Sequence, residues 1–300
     1  MADIEQNYQI KYSEKWGSHL QQEASRLDKY VTVESGLTGK MVAFDQYGLL
    51  SFTEKTDRMG ITILDEAPTT RRVMFPHVYT KAIGFDEFDA KQLAHIDVPV
   101  SKTIESLRAA AGRTMDKVMI DAFLGTAYVG EHGTTAVAFP DSQVIAKDYA
   151  DGSAADSNLT VAKLRKALSM LMKAEAWSDE RRAYGDELVL ACSGSQINAL
   201  LQQPEVSSYD YNTVRALAEG KVDSFMGFRI IRTEQLPISG GVRSCIAWVK
   251  SRAQFGIWDD FKVKLSVRDD LDEALQVRAK FACGATRLQE EAFVKIMCTE

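Results

Sequence analysis

An α+β fold follows from three observations on this 300-residue sequence. Between Pro99 and Gly125 apolar residues recur every three or four positions, the period of one long amphipathic helix. Strand-like pieces crowd elsewhere, most densely from Ser244 to Cys298, where apolar and polar residues alternate. Helices and strands do not take turns as a βαβ winding demands, so segregated helices should pack on antiparallel and mixed sheets.

Composition narrows the function. With 45% apolar residues the chain can bury one large core or two modest ones, and no repeat or low-complexity tract is present. Thirty-six Lys and Arg against forty-two Asp and Glu leave a net charge of -6, without the dense basic block that grips phosphate backbones tightly. Met1 to Gln9 is polar and acidic, unlike a signal peptide, and nowhere do 18 apolar residues follow one another, so neither export nor a membrane span is expected. Cys192, Cys245, Cys283 and Cys298 are scattered in apolar runs and read as reduced thiols of a cytosolic fold.

In chain order, residues 5 to 35 carry Tyr8, Tyr12, Trp16 and Tyr30 at no clean period. Such an arm cannot close a core. Its aromatics are expected to bury against a neighbouring subunit, the alternative being its own domain. From Lys40 to Pro76, strand-like pieces (Met41 to Phe44, Gly60 to Leu64) alternate with the charged stretches Glu54 to Arg58 and Thr69 to Arg72. This predicts a two-stranded ribbon with a polar, charged tip, which is marginal alone in water and should lie on another surface. An ordinary hairpin folded back on its own sheet is the alternative. Lys55, Asp57 and Arg58 at the tip, and Arg71 and Arg72 at the base, are contact candidates, the two arginines placed for carboxylates of another subunit.

The helix between Pro99 and Gly125 spans about six turns, its stripe formed by Ile104, Leu107, Ala111, Met115, Val118, Met119, Ala122 and Phe123. Gly112 interrupts it at a cost of about 1 kcal/mol relative to Ala, so a partner backbone approaches there or the helix bends, which makes Gly112 the hinge candidate. Thr134 to Phe139 and Gln143 to Ala146 predict a hairpin, followed by a mobile polar loop from Asp151 to Ser157. Val161, Leu164, Leu168, Leu171 and Met172 define a second helix, capped by Asn158 or Thr160 and finished by the charged turn Asp179 to Arg182. Leu188 to Cys192 reads as a buried strand, Ser195 to Leu201 as a helix stopped by Pro204, and Asp210 to Glu219 as a helix stopped by Gly220. Strands follow at 228–232, 244–249, 262–267, 274–283 and 292–298.

Catalytic patterns fail on their spacing. Gly36-Leu37-Thr38-Gly39-Lys40 has two residues between its glycines where a phosphate loop has four, and Met41 replaces the magnesium-binding hydroxyl. His19, His77, His95 and His132 are isolated, without zinc spacing. Ser193-Gly194-Ser195 sits between a strand and a helix, but no histidine follows it to act as base, so helix capping explains it better. The acidic runs Asp259-Asp260 and Asp269 to Glu273 read as solvated turns, with a divalent cation between subunits as the lesser alternative. No catalytic residue, cofactor or metal is expected.

The stretch from Gly185 through Cys192, a helix ending at Gln203-Pro204, a helix ending at Gly220 and a strand entered through Phe225-Met226-Gly227-Phe228 resembles the axial domain of tailed-bacteriophage major capsid proteins. Val214-Arg215-Ala216-Leu217-Ala218-Glu219-Gly220-Lys221-Val222-Asp223-Ser224, leading on to Glu234-Gln235-Leu236-Pro237, is its most family-like wording. In its order of parts the whole chain resembles a coat protein of the Hong Kong 97 fold: N-terminal arm (1–44), extended loop (45–76), peripheral domain (77–185) with spine helix 100–124, axial domain (186–258) and return to the peripheral domain (259–300).

The resemblance implies pentamers and hexamers closing into an icosahedral shell around double-stranded DNA, bound without sequence specificity, in a virion assembled in the host bacterial cytoplasm. It implies maturation from a procapsid, a separate scaffolding protein and a portal protein, with room for a decoration protein and no role for a membrane. Some relatives join subunits by a Lys-to-Asn bond. Lys55 fits the donor, but nothing pairs it with Asn7, Asn158, Asn198 or Asn212, so noncovalent closure is expected. An encapsulin-like bacterial compartment is the alternative within the fold, and a cytosolic α+β enzyme the alternative from another class.

Overall fold

The computed structural model describes residues 20–54, 64, 66–86, 100–150, 155–203 and 224–300. Its elements run β1 (Thr32–Ser35), β2 (Val42–Tyr47), β3 (Thr69–Met74), β4 (His77–Phe85), α1 (Val100–Leu124), β5 (Ala127–Val129), β6 (Thr135–Val137), β7 (Val144–Ile145), α2 (Val161–Lys173), α3 (Asp179–Ala183), β8 (Leu188–Cys192) and α4 (Gly194–Leu201). They continue through β9 (Ser224–Phe225), β10 (Phe228–Arg232), β11 (Ile238–Ser239), β12 (Val242–Val249), β13 (Ala253–Arg268), β14 (Ala274–Arg287) and β15 (Phe293–Thr299). The predicted helix from Asp210 to Glu219 and all but Leu64 of the predicted strand from Gly60 to Leu64 lie outside the described residues, as do positions 151–154 of the predicted mobile loop.

The described residues form two compact units. The first holds 20–24, 78–86, 100–113 and 260–281; the second holds the rest. This partition differs from the linear division into arm, loop, peripheral, axial and returning segments. The reason is strand pairing: β15, expected to return to the peripheral domain, pairs antiparallel with β12 from Val242↔Thr299 to Trp248↔Phe293.

In the first unit, β13, β14 and β4 are neighbours in one sheet. Leu107 of α1 packs there with Val277 and Ala279, flanked by Ile83, Phe85, Ile104, Phe261 and Val263. The helical period of α1 and the two-residue period of the strands thus bury one face of each element.

The second unit is built on a mixed seven-stranded sheet, ordered β7-β15-β12-β8-β10-β9 with β11 on β12. Every residue of β8 is buried, and it lies between parallel β10 and antiparallel β12. A parallel neighbour requires a crossover, which α4 begins. Ser193 caps α4 by a reciprocal box with Gln196, the bland role expected of it. β9 and β10 join in a two-residue turn with Met226 and Gly227 both left-handed (φ 50° and 84°), the geometry that suits a tight hairpin. Phe123 packs on Trp248 and Phe293, with ring centroids 5.7 and 5.2 Å apart. A four-stranded antiparallel sheet, β2-β3-β5-β6, completes this unit.

Lys163 and Asp116 are among the buried charges that escaped the sequence reading. Lys163, on the apolar side of α2, donates its ammonium to the carbonyls of Lys147, Ser157, Asn158 and Met297 at 2.7 to 3.1 Å. It ties the loop before α2 to β15, and burial pushes its pKa down. Asp116, fully buried on α1, accepts from Ser25 Oγ (2.5 Å) and the amides of Arg26 and Leu27.

Asp116 also corrects the arm. Leu27 and Val31 are buried, Trp248 Nε1 donates to the Tyr30 carbonyl (3.0 Å), and β1 pairs parallel with Gln254 to Ile257. Residues 25–35 therefore belong to their own subunit, because a buried carboxylate needs the donors they supply. Asp116→Ala should lower the unfolding free energy of the unassembled subunit by about 2 kcal/mol, as hydrogen bonds to a buried charge are lost. Urea denaturation measures it, and Asp116→Asn, which keeps an acceptor, should cost less.

Candidate inter-subunit surfaces

β2 and β3 form the base of the predicted ribbon, in register from Val42↔Met74 to Tyr47↔Thr69. Arg71 stands directly opposite Asp45 and holds its carboxylate with two bonds, of 2.5 and 2.8 Å. Those bonds hold the Asp45 pKa below its ordinary value. Both side chains stay solvated, so the pair sets register more than it stabilises.

The Gly48 amide donates to the Pro68 carbonyl (2.6 Å), and beyond that bond the chain leads toward the predicted charged tip, of which residues 55–63 lie outside the described residues. Leu49, Leu50, Phe52 and Leu64 are 99%, 71%, 106% and 93% exposed. The described residues flanking the tip thus expose apolar side chains alongside Glu54 and Glu66. Apolar side chains grouped this way in water mark a surface that another molecule covers. Lys55, Asp57 and Arg58 lie outside the described residues, as do Tyr8, Tyr12 and Trp16.

Arg72 is corrected as a contact candidate. It is 8% exposed, donates Nε to the Leu288 carbonyl (3.0 Å) and pairs through Nη2 with Glu290, all within its own subunit. Strand alternation explains the difference from Arg71: adjacent residues on β3 face opposite sides, one to solvent and one to the core. Glu290 also approaches Nε of the fully buried Arg287 at 3.6 Å. Gln46 Nε2 adds a second bond to the Leu288 carbonyl (3.3 Å), so both base strands are anchored on the segment after β14.

Gly112 is buried within the uninterrupted helix α1. The acidic turn after β13 carries Asp272 and Glu273 in left-handed conformation (φ 51° and 56°), with Asp270 bonded to Arg268. Among the described residues no group of three or more His, Cys, Asp or Glu side chains is placed to hold a metal ion. All four cysteines are free and buried, and burial pushes the Cys192 and Cys283 thiols up to about 12.

The sequence matches a family described as phage capsid protein over residues 4–300. No curated protein matches it significantly. Among solved structures, the fold is similar to the capsid of cyanophage P-SCSP1u, with TM-score 0.72 and 16% identity over 100% of this chain and 95% of that one. The capsid of cyanophage Pam1 gives TM-score 0.73 and 11% identity over 100% and 99% of the two chains. A chain from Mycobacterium phage Che8 gives 0.71 and 16% over 96% of each.

The two arginines should separate in experiment. Arg72→Glu should destabilise the unassembled subunit by about 4 kcal/mol, since it sets two carboxylates together in a buried place beside Arg287. Arg71→Glu, which sets a carboxylate opposite Asp45 on the solvated face, should cost less than about 1 kcal/mol. Chemical denaturation of both variants, in low and high salt, measures the contrast.

Proposed function

The chain belongs to the phage capsid protein family, and we propose that it is the major capsid protein of a tailed phage, closing as pentamers and hexamers into an icosahedral shell around double-stranded DNA. The observation that carries this reading is the family match across residues 4–300, joined to a ribbon whose apolar flanks are fully exposed in the single subunit. A ribbon of this kind gains nothing for its own fold by exposing Phe52 and Leu64. It gains when a neighbouring copy removes them from water, at roughly 25 cal/mol per Å².

Assembly in the bacterial cytoplasm with a separate scaffolding protein, a portal protein and room for a decoration protein completes the proposal. Closure is noncovalent. Asn158, one of the asparagines considered for a crosslink, is engaged at both ends of its amide, through Ser195 Oγ (3.3 Å) and the Leu159 amide (2.8 Å). Native mass measurement tests the reading: megadalton closed particles holding DNA are expected. A discrete dimer or tetramer overturns it, and particles filled with cargo protein instead of nucleic acid favour the compartment.

Replacing Leu49 to Ala67 by a short Gly/Ser turn should leave a folded subunit that forms no shell, because the Gly48 to Pro68 bond already closes the base strands. Circular dichroism and electron microscopy of the same preparation check both halves of that statement.

Gly112 is proposed as the point where α1 bends as the shell expands. Gly112→Ala should favour the isolated helix by about 1 kcal/mol yet hinder expansion, whereas Ala111→Gly should loosen the helix without that selectivity. Particle diameter before and after mild heat or acid measures it, and Gly112→Ala shells that expand like the parent remove the hinge.

A further inference from the structure

The large sheet of the second unit gathers three of the four thiols. Cys298 of β15 stands opposite Arg243 of β12, and Cys245 stands opposite Ile296, so Cys245 and Cys298 lie one diagonal apart on adjoining strands. One step past the pair Ile246↔Ala191, Cys192 of β8 comes level with Cys245. Residues two apart on a strand share a face. All three cysteines therefore lie on the same side of β15, β12 and β8, and all three are buried completely. Cys283 is apart from them, on β14 of a different sheet.

Within this group the thiols of Cys245 and Cys298 are hydrogen-bonded to each other. That bond and burial push the Cys245 pKa well up, so Cys245 is the donor. The same bond holds the Cys298 pKa below its ordinary value against burial, helped by the ammonium of Lys163, which bonds the neighbouring Met297 carbonyl (3.0 Å). A buried cysteine used only as a small hydrophobe needs volume and nothing more. Two sulfurs in contact, one inclined to thiolate and the other kept as thiol, are instead divided as oxidation to a disulfide requires.

We infer that Cys245 and Cys298 form an oxidisable dithiol, which peroxide closes to a disulfide that fastens β15 to β12 once the particle leaves a reducing cytoplasm. The Cys298 thiolate attacks one oxygen of hydrogen peroxide. The O–O bond breaks, the sulfur becomes a sulfenic acid, and the departing hydroxide becomes water with the proton that Cys298 gave up. Cys245 then attacks that sulfur: the S–S bond forms, the S–O bond breaks, and the second hydroxide leaves as water with the Cys245 proton. Two thiols have lost two electrons, and one peroxide has become two waters.

A diagonal pair lies near the upper limit of disulfide reach, so the end of β15 must shift. With the sulfurs already in contact, the shift involves only the end pairs Arg243↔Cys298 and Val242↔Thr299. Local opening of the same pairs admits peroxide to the buried thiols. The timing rests on the shell reading above, whereas the chemistry belongs to the subunit alone.

Peroxide treatment of unassembled subunit and of particles, followed by denaturation, N-ethylmaleimide and mass spectrometry, tests it. Free thiols should fall from four to two per chain, with the peptides of Cys245 and Cys298 joined, and dithiothreitol should restore all four. Oxidation should lower the unfolding equilibrium constant of the subunit by about thirtyfold, the low end for a disulfide because β15 must shift. Cys245→Ala and Cys298→Ala should each abolish that difference and Cys283→Ala should keep it, each variant being compared with its own reduced form so that lost packing cancels.

Four free thiols after peroxide overturn the dithiol, as does a link that includes Cys192 or Cys283 or joins two chains. Sulfinic acid at Cys298 without a link overturns it too. A link that forms in the subunit but not in particles overturns the fastening of the released particle. A subunit that closes the disulfide yet yields no particles keeps the chemistry and overturns the shell reading instead.

Discussion

Arg287 is the interaction on which the second unit depends. Its guanidinium, wholly buried, donates Nη1 to the carbonyls of Ala122, Phe123 and Gly125 and Nη2 to that of Val137 (3.0 Å), over the Phe139 ring. The last turn of a helix leaves carbonyls without partners, and a cation placed there satisfies them and meets the negative end of the helix dipole. One side chain thus closes α1, holds the hairpin of β5 and β6 beside it, and brings Glu290 to the arginine at the base of the ribbon. A planar fork with fixed donors does this where an ammonium would not.

The same physics divides the charges of the chain into two populations. Arg287, Arg72, Lys163 and Asp116 are buried and bonded within the subunit to carbonyls, amides, the Ser25 hydroxyl or the Glu290 carboxylate, so they define it. Arg71, Lys264 and Arg278 are solvated, the first paired with Asp45 and the last bonded to Thr80, and contribute little to its stability. The ribbon joins these populations, with a base tied into the subunit by Arg72 and Gln46 and flanks that expose leucine and phenylalanine. A rigid root with an adhesive end is what a repeating shell requires of each copy.

Much of this was legible beforehand. The α1 stripe gave a helix from Val100 to Leu124, and β8, α2 and α4 appear where periodicity and capping residues place them. The charged segment Asp179 to Arg182, read as a turn, is instead a short helix capped by Ser178. Arg71 and Arg72 are indistinguishable as neighbours in a string, and only the alternation of β3 against its neighbours sends one to solvent and the other to Glu290. A signal for Asp116 was present, since an acid beside Met115 interrupts an apolar stripe, but its partners lie 89 to 91 positions away.

What the sequence determined by itself is local: the periods of its helices and strands, the caps, and the order of parts that resembles a phage coat protein. Those properties depend on residues within a few positions of one another, where backbone geometry dictates which side chains share a face. Tertiary structure alone decided which strands pair, that β15 joins β12, and that the end of the arm belongs to its own subunit. These outcomes rest on contacts between distant segments, which no local pattern encodes.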